Sequence, residues 1–543
     1  MMIRRSNIHF VLYTLIIAVF ASGVHAQTQN TKFESIGLFD ASHKNSLGAG
    51  IYHQSSRAAL TKLLEQTKGS QWIALEREIN HFLLTTADAS AIKNDITVLP
   101  GKDLFTLRLN ALLKRGLNKQ AFDLFTKIPD EITQDSLAYS GVLSMLLNKE
   151  KALACLETKT LLPRFKDKPF WQELNAYCTL SLSTQPHEAE QKTIENSNKK
   201  IIQSVLSSAD FKFEYETAVF SALSPLERAI LTAEDRITLQ NAYKDTPTQH
   251  IAPLLQQSHI DDETRILLTM QAVRHGILEI NALTSLYESL NEKETPVKGI
   301  GEIAALYAET QKGWIPKKRR DKIERAFALA GKYGDLSLLP FLPVLMKMAP
   351  GDDLSLINAK RSAYLSLYSD APFPAEWIKD LQELSFEGSD NKNLEELRSQ
   401  ILYATITLSK HKNEELEIAA RKTIKPYQFS KNNLAALKNI TETIDISTDN
   451  SDKVQYIYEN DFDLTENRSY TMPPPILMDT LRRSSENQDI GATLFLSSAI
   501  LGGIERKELY LGTLSDISIA LRKTGSKQLS RHMLAQAILE IEN

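Results

Sequence analysis

The sequence predicts an all-α protein, a right-handed α-solenoid built from stacked helical hairpins. Three observations lead there. Apolar residues recur at helical spacing along nearly the whole chain, and no sustained strand alternation appears outside Tyr456–Tyr458. Between Leu104 and Leu182 one pattern occurs twice, first as Arg115-Gly116-Leu117-Asn118-Lys119-Gln120-Ala121 and then as Leu147-Asn148-Lys149-Glu150-Lys151-Ala152. Aligning Asn118 with Asn148 and Ala121 with Ala152 gives a period near that of two-helix repeats.

The first copy supplies the physics of one unit. Phe105, Leu109, Leu112 and Leu113 form one helical stripe, and Gly116 is placed to stop that helix. Asn118 is expected to cap the next, whose stripe is Ala121, Leu124, Phe125 and Ile128, with Pro129 closing the unit. A single hairpin cannot bury both stripes, so neighbours must stack on it.

On these residues the unit resembles a degenerate tetratricopeptide repeat. Gly116, Ala121 and Phe125 match its small and aromatic positions. The first-helix Leu-Gly and Tyr are absent, and Pro129 comes early for the closing proline. The resemblance implies partner binding through a concave face and brings no catalytic residues.

In chain order, residues 1–26 read as a signal peptide. Arg4 and Arg5 precede an apolar run from Phe10 to Val24, and Val24-His25-Ala26 offers cleavage between Ala26 and Gln27. Export to the periplasm or cell envelope follows. Residues 27–57 are a polar arm expected to lie on the first helices, and 58–200 hold the repeat-like hairpins. Helical repeats continue over 201–295, where Ser224-Pro225-Leu226-Glu227 is a capping box with proline at the first turn. Pro296 and two glycines begin a second helical array, 296–440, in which Leu336–Met348, with Pro340 and Pro343, reads as a buried broken helix. An acidic, proline-ended linker or loop spans 441–475, and capping helices fill 476–543. There Thr524-Gly525-Ser526-Lys527-Gln528 echoes the turn at Gly116. Ala492–Ile504 is a buried helix rather than a span, since serines interrupt it.

Composition is that of an ordinary globular protein, 42% hydrophobic and 24% charged, and a net charge of −4 argues against general nucleic-acid binding. The two cysteines, Cys155 and Cys178, are close in sequence. In an oxidising compartment they are expected to form a disulfide, Cys155 lying on the stripe of Ala152 and Leu156 and Cys178 on that of Trp171 and Leu174.

Motifs for chemistry are scarce. There is no Gly-x-Ser-x-Gly, no dinucleotide or phosphate loop, and no clustered histidine, so no catalytic, metal or cofactor residue is assigned. Asp445–Asp452 spaces oxygen ligands somewhat like a calcium loop, but Asn450 stands at the turn glycine and Tyr456 at the bidentate glutamate. A solvated loop is the better account. Trp314 with Lys317, Lys318, Arg319 and Arg320 forms the densest basic cluster, a candidate peripheral contact with an anionic surface.

Taken together, the export signal, Gly37-Leu38-Phe39-Asp40, Leu107-Arg108-Leu109, Cys155 and Cys178 with their aromatic neighbours, and Leu521–Gly525 resemble a group of exported helical-repeat proteins of Gram-negative bacteria that carry no assigned activity. The expectation is a non-enzymatic envelope scaffold binding another protein. The alternatives are a cell-wall enzyme or remnant of the superhelical lytic-transglycosylase type, and a binder of anionic envelope surfaces.

Overall fold

The computed structural model describes residues 31–67, 69–129, 132–182, 188–197, 199–239, 246–292, 299–311, 316–369, 373–374, 376–384, 391–408, 471–502, 504, 509 and 511–540. The expected signal peptide, its Ala26–Gln27 cleavage site, the calcium-like loop and the helices expected between 412 and 443 lie outside them. Among the described residues the chain is predominantly α-helical, with twenty-four α-helices and one short two-stranded ladder. Packing separates two compact units, Met1–Thr67 with His81–Ile237, and Lys68–Asn80 with Thr238–Asn543.

The helices of the first unit are α1 (Arg57–Gln66), the end of α2 (Ile73–Leu84), α3 (Leu104–Lys114), α4 (Asn118–Phe125), α5 (Asp135–Leu147), α6 (Lys151–Phe165), α7 (Pro169–Leu182), α8 (Glu188–Asn196), α9 (Lys200–Ser207), α10 (Thr217–Ala222) and α11 (Pro225–Ala233). From α3 to α8 each helix packs on the next, and α5 also meets α3 and α11. The ladder pairs Phe213–Glu214 with Ile237–Thr238, pieces too short for sequence alternation to reveal.

One joint is used repeatedly. Gly116, at φ 73°, takes the left-handed conformation after α3. Its N–H donates to Leu113 O at 3.1 Å, and Leu117 N–H donates to Leu112 O at 2.9 Å. These paired bonds close a helix on a left-handed residue. Lys149, at φ 62°, does the same after α5, with Glu150 N–H donating to Met145 O at 2.9 Å. In both cases the next helix starts two residues on, at Asn118 and Lys151.

This joint corrects the register read from sequence. Gly116 corresponds to Lys149 and Ala121 to Ala154, both 33 positions on. Ala121 and Ala154 are each 0% exposed, whereas Ala152 lies on the surface. Asn118 is also not the cap of α4: Leu117 holds that position, and Asn118 is the buried first helical residue. Its carbonyl accepts from Asn148 Nδ2 at 2.8 Å. Close approach of α4 and α5 is set by Gly141, where a Cβ would stand 2.0 Å from Phe125 Cε2.

The stretch ahead of α1 is fastened down. Leu38 and Phe39 N–H groups donate to Leu84 O at 2.7 and 2.9 Å, and Thr86 N–H donates to Phe39 O at 2.8 Å. A Cβ on Gly37 would lie 2.3 Å from Thr86 N, so only glycine permits this contact. Beneath it Arg108, fully buried, donates to the carbonyls of Leu83, Ile36 and Thr85 at 2.8, 2.9 and 3.0 Å. Glu34 binds Arg57 through both carboxylate oxygens at 2.6 and 2.8 Å and accepts from Leu104 N–H at 2.9 Å. Such pairing offsets the cost of taking these charges out of water. Asp103 caps α3, accepting from Thr106 N–H at 2.8 Å, and burial pushes its pKa up to about 6.

The second unit holds α12 (Thr248–Leu255), α13 (Asp262–Arg274), α14 (Ile280–Asn291), α15 (Gly301–Thr310) and α16 (Pro316–Tyr333), each packed on the next. A 3₁₀ turn, Asp335–Phe341, runs into α17 (Leu342–Leu345), the broken helix expected from Pro340 and Pro343. Then follow α18 (Leu356–Ser366), α19 (Glu376–Glu383), α20 (Asn391–Leu408), α21 (Pro475–Glu486), α22 (Ile490–Gly502), α23 (Leu511–Lys523) and α24 (Lys527–Glu540). Here α24 is an interior helix, packed on α18, α20 and α23, where a terminal cap would present a polar outer face. Gln536, 0% exposed, accepts from Ile73 N–H at 3.0 Å and donates to Gln71 O at 3.2 Å, so the last helix holds the start of α2. The buried α22 fits the same pattern, and no described helix is long and apolar enough to cross a membrane.

Candidate binding groove

The disulfide expected from the sequence is present. Cys155 on α6 and Cys178 on α7 are bonded, with Cα atoms 5.5 Å apart. The stripe assigned to Cys155 needs correction: Leu156 is 63% exposed, and the buried companions are Ala154, Thr158 and Leu161. Trp171 and Leu174 are buried beside Cys178 as expected.

The basic cluster at the start of α16 is followed by paired cations rather than joined to them. Trp314 lies outside the described residues, as do the side chains of Lys317 and Lys318 at the start of α16. Arg319 is half-buried and Arg320 exposed, while Lys322 pairs with Glu309 at 2.5 Å and Arg325 meets Glu302 at 3.6 Å. No cluster of metal-ligating side chains occurs among the described residues.

A further polar cluster sits where α5 and α11 end together. Asp235, at φ 56°, repeats the Lys149 joint after α11, and the two residues form an ion pair at 3.1 Å. Lys151 donates to Glu234 at 2.6 Å, and the Tyr177 hydroxyl donates to the same carboxylate. Burial opposes charge on Glu234, but hydrogen bonds from Lys151 and Tyr177 hold its carboxyl below the ordinary glutamate range. Burial and Glu234 raise the Tyr177 pKa far above that of a free phenol. Groups so firmly held in one protonation state, Glu234 without its proton and Tyr177 with it, are poor general acids or bases near neutrality. The cluster clamps two helix ends.

A concave surface appears between α21 and α23. Pro475 starts α21 at its first position, where a missing N–H is harmless. A parallel bridge between Thr471 and Leu509 sets the segments entering the two helices side by side. Both helices end in the joint already described: Gln488, at φ 56°, follows α21 and Gly525, at φ 88°, follows α23, with the next helix two residues on. Asp489 then caps α22, accepting from Ala492 N–H at 2.9 Å. Thus α21 and α23 are the first helices of successive hairpins.

The cleft between them has a volume of about 370 Å³ and is lined by Met478, Leu481, Arg482, Asp516, Ile519 and Lys523, among others. Asp479, also at the cleft, pairs with Arg482 and Arg483, each at 2.8 Å, and its bond from Arg482 lowers its pKa. Asp516 is exposed by area, yet its carboxylate is crowded enough that desolvation raises its pKa. Nearby in sequence, Met472 and Ile476 are 64% and 70% exposed. None of these residues stood out in the sequence. The available signal was the pair of aligned hairpins at Gln488 and Gly525.

Comparisons with protein-family models, with curated proteins and with solved structures find no match. What the fold defines is a class: a predominantly helical protein of tightly jointed hairpins carrying one disulfide.

Proposed function

We propose that this chain is an exported, non-catalytic scaffold that binds another protein in the cell envelope. The observation that carries the reading is the cleft between α21 and α23, where apolar and charged side chains meet on the first helices of adjacent hairpins. Hairpin arrays use that face for partners. The 33-residue spacing of Gly116 and Lys149, and of Ala121 and Ala154, supports a right-handed array close to the tetratricopeptide period of about 34 residues. The signal-like start of the sequence and the Cys155–Cys178 disulfide support export to an oxidising compartment.

A photo-crosslinking amino acid at Ile519 in the full chain tests the reading. Irradiation of intact cells is expected to give one adduct of defined mass in the envelope fraction. Absence of any adduct would overturn it, and release of muropeptides from cell wall by the purified protein would then favour an enzyme.

A further inference from the structure

The lining of the cleft restricts what can occupy it. After Asp479 has paired with Arg482 and Arg483, two ionisable side chains of the lining are left over, Asp516 and Lys523. Neither has an ion pair or hydrogen bond among the described residues. They lie seven positions apart on α23, two turns or about 10 Å along the axis. Ile519 and Ala520 occupy the interval, with Met478 and Leu481 on α21 facing the same cleft. Desolvation raises the Asp516 pKa and no cation among the described groups offsets it. An arriving positive charge would therefore relieve a carboxylate that the fold leaves crowded and unpaired. The charged side chains of the lining, Asp479 and Asp516 against Arg482 and Lys523, balance, so the cleft offers no net positive charge to a polyanion such as nucleic acid or an anionic membrane.

Resting on the binding reading above, we propose that the α21–α23 cleft takes an amphipathic helical segment of another protein. Its apolar stripe seats on Met478 and Ile519, the part-exposed apolar side chains of the lining, with a basic side chain on Asp516 and an acidic one on Lys523, two helical turns apart. Helix-in-groove recognition uses this spacing of anchors.

The test uses the full chain and three synthetic, fluorescently labelled helical peptides. All carry two leucines between the charged positions; the charges are Lys and Glu, Lys and Lys, or Glu and Glu, seven residues apart. By anisotropy the Lys/Glu peptide is expected to bind saturably and about fivefold tighter than either like-charged peptide. Asp516→Asn should erase the discrimination against Glu/Glu, and Lys523→Gln that against Lys/Lys, with helical content unchanged by circular dichroism. No saturable binding of the Lys/Glu peptide, or a ranking indifferent to both substitutions, overturns the proposal. So does peptide-free dimerisation of the wild type that Asp516→Lys abolishes, because it would seat a second copy in the cleft. A cellular adduct at Ile519 that survives Asp516→Lys removes this proposal and leaves the scaffold standing; loss of every adduct in the wild type removes both.

Discussion

Replacing Asp103 with Asn is expected to strengthen the first unit at neutral pH, although it removes a charged helix cap. Asp103 is 2% exposed and meets no cation among the described residues; burial raises its pKa to about 6, and the nearby Glu34 charge adds to the rise. The folded-state value is therefore above the unfolded one, near 3.8. Such a group contributes stability that is fully present below the unfolded pKa and lost as pH rises through the folded pKa. Two pKa units correspond to about 3 kcal/mol between pH 3.5 and pH 7.5. Asn keeps the acceptor for Thr106 N–H and carries no charge to desolvate, and at the cap it ranks with Asp. The gain at pH 7.5 should approach 2–3 kcal/mol, roughly, and vanish below pH 4. Hydrogen exchange of the α3 amides in the full chain, corrected for intrinsic rates, reads this locally. A variant less protected than the wild type at pH 7.5, or a gain that persists at pH 3.5, would refute the reasoning.

Two glycines separate backbone strain from crowding. Gly525 has φ 88° and open space around its Cβ position, so Gly525→Ala should cost about 1 kcal/mol through the backbone alone, as a shifted urea midpoint. Gly141 sits in a regular helix against Phe125, so Gly141→Ala should cost about 1–3 kcal/mol through overpacking, and Phe125→Leu in the same chain should recover part of it. Replacing both Cys155 and Cys178 by Ser opens a loop of sequence separation 23 and should lower stability by about 3 kcal/mol by the chain-entropy model, measured as a urea midpoint without reductant.

The helical class was legible because propensity, spacing and punctuation agree over long stretches. Gly116 stops α3, Ser224 and Glu227 form their reciprocal cap, and the turn at Gly525 does repeat the one at Gly116. The register of the repeat was not legible, for a definite reason. Lys149, Asp235 and Gln488 occupy left-handed positions that sequence reading assigns to glycine, so the Asn118–Asn148 and Ala121–Ala152 spacing places the joint after α5 two or three residues early. The buried charges were missed likewise: Arg57, Arg108 and Glu34 look like surface residues until their partners, drawn from distant segments, are brought together. A hint was present in Arg108, set between Leu107 and Leu109 in a run apolar on all sides. The cleft left weaker traces still, since its lining residues are ordinary for an exposed helix and acquire meaning only when α21 and α23 lie side by side.

The hold of Gln536 on Ile73 and Gln71 has a consequence for biosynthesis. Partners separated by 463 positions cannot meet until the whole stretch between them has been made. The second unit thus completes its core only once α24 is in place, and a chain missing α24 would leave α2 without its anchor and expose greasy surface. Loss of α24 is accordingly a lesion of the whole second unit, felt hundreds of residues upstream.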